Sequence, residues 1–183
     1  MYIDDKTIKA VESKYGEPVL RTTRFEMGKR EFEGLKGSQK NGRSHDITLY
    51  IRKGEEFVVN AKHFYPAGLF RAPSGGIEPG EDLVEGAKRE AIEETGSIVE
   101  LERYILRIGV EFFCEDEAVQ WTSHVFLADF ISGDLSQRDT REIREVSLAS
   151  LNDFDHFGEV MRASSIGGFH YRAYLHDQVR ELL

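Results

Sequence analysis

The apolar positions of this chain alternate between a helical rhythm and a strand rhythm. Ile8, Val11 and Tyr15 recur at near-helical spacing, which predicts a weakly amphipathic helix over 4–15 that Gly16 stops. Val19 to Met27 and Glu31 to Leu35 read as two short strands or a hairpin about Gly28. Residues 36–44 carry no apolar side chain and read as a loop, the best linker candidate in the chain. Ile47 to Ile51 and Glu56 to Val59 flank a Gly54 turn and predict a β-hairpin. Leu101 to Phe113 and Val119 to Phe130 are rich in β-branched and aromatic residues and predict two strands, joined by the acidic run Cys114-Glu115-Asp116-Glu117. Leu148 to Phe157 predicts a short helix. A closing helix over 168–183 places Tyr171, Tyr174, Leu175, Val179 and Leu182 on one face.

Between the strand blocks lies the clearest helix, over 82–95. Leu83, Val84, Ala87, Ala91 and Ile92 form its apolar stripe, and Gly96 stands where a terminating glycine belongs. Strands on both sides of a central helix, with helices at both ends, predict an α/β layered domain with a mixed sheet. At 183 residues the chain has the length of one domain, and no repeat or low-complexity segment divides it.

Composition narrows the function. The net charge of −9 argues against a nucleic-acid polymer or an anionic membrane as partner, since both attract basic surfaces. It leaves room for a small phosphorylated ligand, because a bound cation inverts the local field. A single cysteine, Cys114, excludes an internal disulfide framework and a multi-cysteine zinc site. No apolar run approaches a membrane span, and the acidic start Met1 to Lys6 lacks a signal-peptide core, so the expected compartment is the cytoplasm.

The candidate chemistry sits on the central helix. Glu90, Glu93 and Glu94 are spaced i, i+3 and i+4, which puts three carboxylates on one helical face. Taken alone, that pattern describes an ordinary solvated acidic face. Taken as ligands, three carboxylates suit a hard divalent ion such as Mg²⁺ or Mn²⁺. The preceding segment, Pro73-Ser74-Gly75-Gly76-Ile77-Glu78-Pro79-Gly80-Glu81, is a sharply bent loop. Without Cβ atoms, its backbone can approach a metal or a phosphate closely, or it is a plain turn.

Together the two features form a pattern: Gly75, five residues, Glu81, seven residues, Arg89-Glu90-Ala91, one residue, Glu93-Glu94, one residue, Gly96. This resembles the box of the Nudix hydrolases across residues 75–97. Ser97 departs from it, since an aliphatic residue usually closes the box. A weaker likeness covers Glu142 to Val146 with Leu148 and Leu151, read as a late strand entering a short helix; Leu148 stands where a Trp is common.

The resemblance implies a Nudix-type α/β/α sandwich and a hydrolase that directs water at the phosphorus of a nucleoside diphosphate linked to another moiety, using Mg²⁺ or Mn²⁺. It makes Glu90, Glu93 and Glu94 the metal-ligand candidates, joined by the carbonyl of Gly75 or Gly76. Glu93 and Glu94 are also the catalytic candidates on the helix. Glu81 and Arg89 are expected to form an orienting ion pair. Glu142 and Glu145 are the general-base candidates, with Glu115, Asp116 and Glu117 as further ones. Arg71 could touch a phosphate. Phe112, Trp121 and Tyr104 could stack on a base or belong to the core. Gly86 could leave room for a ligand or be merely tolerated. The segment 1–43 is read as an extension of helix and short strands that could pair with a second copy in a homodimer. Two rivals stand beside this reading. One is a catalytically silent nucleotide-sensing module; the other is an isomerase dependent on Cys114.

Overall fold

The computed structural model describes residues 3–39 and 42–183. In chain order the elements are α1 (Asp5–Tyr15), β1 (Val19–Glu26), α2 (Lys29–Ser38), β2 (His45–Lys53), β3 (Glu56–Lys62), β4 (Ser74–Gly76), α3 (Leu83–Thr95), β5 (Ser97–Cys114), β6 (Glu117–Gly133), β7 (Ile143–Ala149), α4 (Leu151–Ala163) and α5 (Gly167–Arg180). Seven strands form one sheet in the order β1-β5-β6-β2-β3-β7, with β4 paired to β2. The β1–β5 and β2–β6 pairs are parallel and the remaining pairs antiparallel, so the sheet is mixed.

Alternation along each strand splits the core between two faces. Ile47, Leu49 and Ile51 of β2 join Ile8 and Val11 of α1 and Leu83, Ala87 and Ala91 of α3 on one face. Tyr50, Val59, Trp121 and Val125 join Phe154 and Phe157 of α4 and Tyr171, Leu175 and Val179 of α5 on the other. The result is helix, sheet, helix: an α/β/α sandwich.

Helix α3 begins where Asp82 caps it, its carboxylate accepting from the Val84 and Glu85 amides at 2.9 and 3.1 Å. It ends at Gly96 in the left-handed region, φ +66°. A Cβ at Gly96 would collide with the backbone oxygen of Ser136, so glycine is required there twice over.

Several expectations need correction. Glu31 to Leu35 is not a strand but the middle of α2, which buries Phe32. The Val19 strand therefore has no hairpin mate and pairs in parallel with β5 instead. The expected loop 36–44 is helical through Ser38, and its residues 40 and 41 lie outside the described residues, as do Met1 and Tyr2 of the N-terminal reading. Leu148 belongs to β7, and the helix starts only at Leu151 behind the Ser150 cap. The described part of segment 1–43 packs with the rest of the fold, α1 on one face and β1 at one edge of the sheet. No helix among the described residues is long and apolar enough to cross a membrane.

The histidines also hold a surprise. His45 Nδ1 and His124 Nε2 meet at 2.9 Å across the β2–β6 pair, and Tyr104 Oη reaches His124 Nδ1 at 2.6 Å. Burial strips water from the charged imidazole and holds His124 well below its ordinary value of 6.5; the His45 ring, when charged, and Arg107 push the same way. Burial lowers His45 and His176 as well. In the fold these rings resist protonation, whereas in the unfolded chain they take up protons below about pH 6.5. Their contribution is therefore complete above that pH and lost as pH falls below it, by up to about 1.4 kcal/mol per pH unit for each ring. Urea unfolding between pH 7.5 and 5.5 should show this loss, and His124→Gln should flatten the slope by about one proton. An unchanged slope would refute the neutral, buried imidazole.

Candidate active site

The acidic face of α3 opens into a cavity of about 510 Å³ that reaches the Phe112, Trp121 and Tyr171 side chains. The bent loop, β2, β3, the turn before β7, and α5 supply the other walls. Glu90, Glu93, Glu94, Gly75, Arg71, Arg89, Glu142, Phe112 and Trp121 all border this one space. Glu81 stands behind it, and Glu145 lies outside it.

Glu94 is the most tightly held of the acids. It is buried and accepts from Asn60 Nδ2 at 2.7 Å, from the Ser74 amide at 2.8 Å and from Arg71 Nη2 at 2.8 Å. Arg71 is equally buried and also donates to the Ser74 carbonyl at 3.2 Å and to Ser74 Oγ. One ion pair thus ties β3, the segment before the loop, and α3 together. Arg71 is not a solvated arginine.

Arg89 organises the other two acids. Its Nε and Nη2 grip the two Glu81 oxygens at 2.7 and 2.9 Å, a bidentate pair that also lowers the Glu81 pKa. Nη2 reaches the Gly76 carbonyl at 3.0 Å, which pins the loop. Nη1 lies 2.7 Å from Glu90 and 3.0 Å from Glu93, so two carboxylates share one cationic nitrogen. Burial nonetheless raises Glu90 to a pKa of about 7, against the lowering effect of Arg89.

Glycine at 75 is a steric requirement, because a Cβ there would fall inside the Glu90 carboxyl group. Gly86 has a different explanation from either one expected. A Cβ there would come within 2.6 Å of Ile77 Cδ1, so Gly86 lets the loop pack down on α3 and makes no room for a ligand.

Glu142 faces the cavity and accepts from Lys62 Nζ at 2.7 Å, and that contact holds its pKa down. Glu145 instead pairs with Arg144 at 2.8 Å on the exposed side of β7. Glu117 of the acidic turn pairs with Lys36, and neither it nor Glu115 or Asp116 borders the cavity. Phe112 and Trp121 are both core residues and cavity walls. Tyr104 is not at the site; it packs on the opposite face, stacked on Phe126 at 4.7 Å. Cys114 is half-buried at the end of β5 and does not border the cavity.

Sequence reading missed Asp46, Lys62, Asp139, Tyr171 and Arg172, which border the same cavity. Their separation along the chain hid them. Only the alternation of β2, which sends Asp46, Thr48 and Tyr50 to one face, carried a signal.

Seven carboxylates and five cationic side chains line the cavity among the described residues, an excess of two negative charges. Hard oxygen donors, a buried Glu90 and a Cβ-free backbone at Gly75 fit a divalent cation in donor type. In the arrangement seen, no three acids among the described residues converge on one point, because Arg71 and Asn60 draw Glu94 aside from Glu90 and Glu93.

Comparison with known proteins agrees with this architecture. The family model of the NUDIX domain matches residues 41–165. An oxidized purine nucleoside triphosphate hydrolase of Danio rerio is 29% identical over 93 residues, covering 51% of this chain and 58% of that protein. The chain thus spans less than two thirds of that relative. A MutT NUDIX hydrolase from Burkholderia pseudomallei superposes with a TM-score of 0.52 at 20% identity, over 74% of this chain and 97% of its own. A NUDIX hydrolase from Nitrosomonas europaea gives 0.52 at 19% identity, over 75% and 68%. At those identities the structural likeness speaks for the fold alone.

Removing one partner of the Arg71–Glu94 pair leaves a buried charge uncompensated. Arg71→Met should cost about 3–5 kcal/mol in urea unfolding, and adding Glu94→Gln should recover most of it. A double-variant loss equal to the sum of the Arg71→Met and Glu94→Gln single losses would show that the pair is not coupled.

Proposed function

The chain belongs to the Nudix family, and on that premise we propose that it is a divalent-metal-dependent hydrolase of a nucleoside diphosphate linked to another moiety. The observation that carries the reading is one cavity with two kinds of wall. Carboxylates and cations line the part against α3, and Phe112, Trp121 and Tyr171 line the part under β5, β6 and α5. A polyphosphate suits the first and a nucleobase the second.

Glu90, Glu93, Glu94 and the Gly75 carbonyl would hold Mg²⁺ or Mn²⁺. When bound, such an ion neutralises phosphate charge and lowers the pKa of coordinated water. The remaining work falls to the chain itself. Lys62 and Arg71 offer positive charge to the phosphate oxygens. Arg89 positions Glu90 and Glu93 while its Glu81 pair fixes its own direction. Glu142, kept ionised by Lys62, is the carboxylate placed to accept a proton from water. Glu145 loses that role because its side chain lies outside the cavity. A second copy of the chain would pair along β1, one of the two edge strands of the sheet.

The catalytically silent sensor remains the rival reading, and turnover decides between them. A panel of nucleoside di- and triphosphate derivatives, with product identification, should show hydrolysis that excess chelator abolishes and Mg²⁺ or Mn²⁺ restores. Glu93→Gln is the cleanest variant, because that side chain is exposed and makes no buried pair. It should lower kcat by about 100-fold or more without moving Tm. Tight nucleotide binding with no turnover would replace the enzyme with a sensor.

A further inference from the structure

We infer that Asp46 reads the nucleobase and that the base it selects carries two adjacent N–H donors, as guanine does. This rests on the nucleotide-hydrolase reading above and adds the identity of the base to it.

Asp46 lies on β2 with its residue surface 8% exposed, yet it borders the cavity. Its Oδ1 has no hydrogen-bond partner among the described residues. Its Oδ2 has Arg172 Nη2 3.7 Å away, beyond hydrogen-bond distance, and Arg172 Nη1 donates to Thr48 Oγ1 at 3.1 Å. A buried carboxylate with both oxygens under-used is costly unless something donates to it. Among the described residues nothing donates to Oδ1, and Asp46 borders the cavity.

Sheet register places this carboxylate at the aromatic end. Asp46 stands beside Ser123 in the parallel β2–β6 pair. Ser123 Oγ accepts from the Tyr171 hydroxyl at 2.6 Å, and Trp121 lies two residues along β6 on the same face. On its other side Asp46 pairs with Gly76 of the bent loop. It therefore sits between the aromatic walls and the acidic helix, where the inner edge of a base would lie if its phosphates faced α3.

The chemistry of that edge then selects the base. Two carboxylate oxygens in one plane accept from two neighbouring donors. On the Watson–Crick edge, guanine offers N1–H and the 2-amino group side by side, with O6 next to them for the Arg172 guanidinium. Adenine offers one donor group beside a lone pair, cytosine the same, and uracil one N–H between two carbonyls. Each of these leaves one Asp46 oxygen without a donor. A bidentate pair of this kind discriminates by about 10- to 100-fold.

Steady-state hydrolysis of GTP, ITP, ATP, CTP and UTP by the wild-type protein with Mg²⁺ or Mn²⁺ tests this directly. ITP differs from GTP only by the missing 2-amino group. GTP should exceed ITP and ATP in kcat/KM by at least about 10-fold, and Asp46→Asn should reduce the GTP to ATP ratio by about 10- to 100-fold. Equal values for GTP and ITP overturn the inference, and so does a ratio that survives Asp46→Asn. If no nucleotide is turned over, calorimetric binding of GDP and IDP separates the two readings. Tighter GDP binding keeps the base selection and removes the hydrolase; equal binding removes the base selection. The GTP–ITP comparison needs no variant, so a misfolded Asp46→Asn protein does not spare the inference.

Discussion

The site depends on one buried ion pair. Arg71 and Glu94 meet at 2.8 Å with their side chains 4% and 7% exposed. Around them, Asn60 of β3, the Ser74 amide and the Ser74 carbonyl complete the hydrogen bonding. Desolvating two charges consumes most of what their attraction returns, so such a pair is a weak source of net stability. What it supplies is position. Strand β3, the approach to the bent loop, and the acidic face of α3 meet at this point. A shift in any of them would leave a charge without its partner.

A second cluster repeats that logic nearer the surface. Arg89 connects Glu81, Glu90, Glu93 and the Gly76 carbonyl, so a single guanidinium relates the loop to the acidic face. Like-charged carboxylates one turn apart repel, and here the chain supplies its own counter-charge. The pattern explains why Gly75 and Gly86 carry no side chain. At 75 the space belongs to the Glu90 carboxyl, and at 86 it belongs to Ile77. The glycines of this segment serve close packing between loop and helix as much as the bending of the loop.

The sequence was most readable where structure is local. Helix α3 declares itself by its apolar stripe, its Asp82 cap and its Gly96 stop, and the hairpin of β2 and β3 by its Gly54 turn. Helix α2 was misread because Phe32 and Leu35 give too few apolar positions to set a period; α2 is held by packing of Phe32 and by Glu31, which accepts from the Gly167 and Gly168 amides 136 and 137 residues away. The same limit applies at the site. The Glu90, Glu93, Glu94 trio shares one helix and was legible as a set. Asp46, Tyr171 and Arg172 reach the cavity only through sheet order and the docking of α5, and no spacing rule connects them. Tyr104 shows the converse error: an aromatic residue suited by type to a base-binding wall faces the other side of the sheet, where His124 and Phe126 hold it.

The charge of the cavity joins these observations. A protein of net charge −9 would repel a polyphosphate at long range, and the cavity does not reverse that sign, since its acids outnumber its cations by two. One divalent ion would bring the lining to neutrality, and a second would make it positive. The fixed cations are also partly committed: Arg71 to Glu94, Lys62 to Glu142 and Arg89 to three carboxylates. Phosphate recognition by side chains alone would have to break those pairs. Recognition through added cations leaves them intact and lets the same carboxylates repel an anionic ligand until a metal ion arrives. On this reading the acidity of the site is a condition on binding: the polyphosphate and the metal enter together or bind weakly apart.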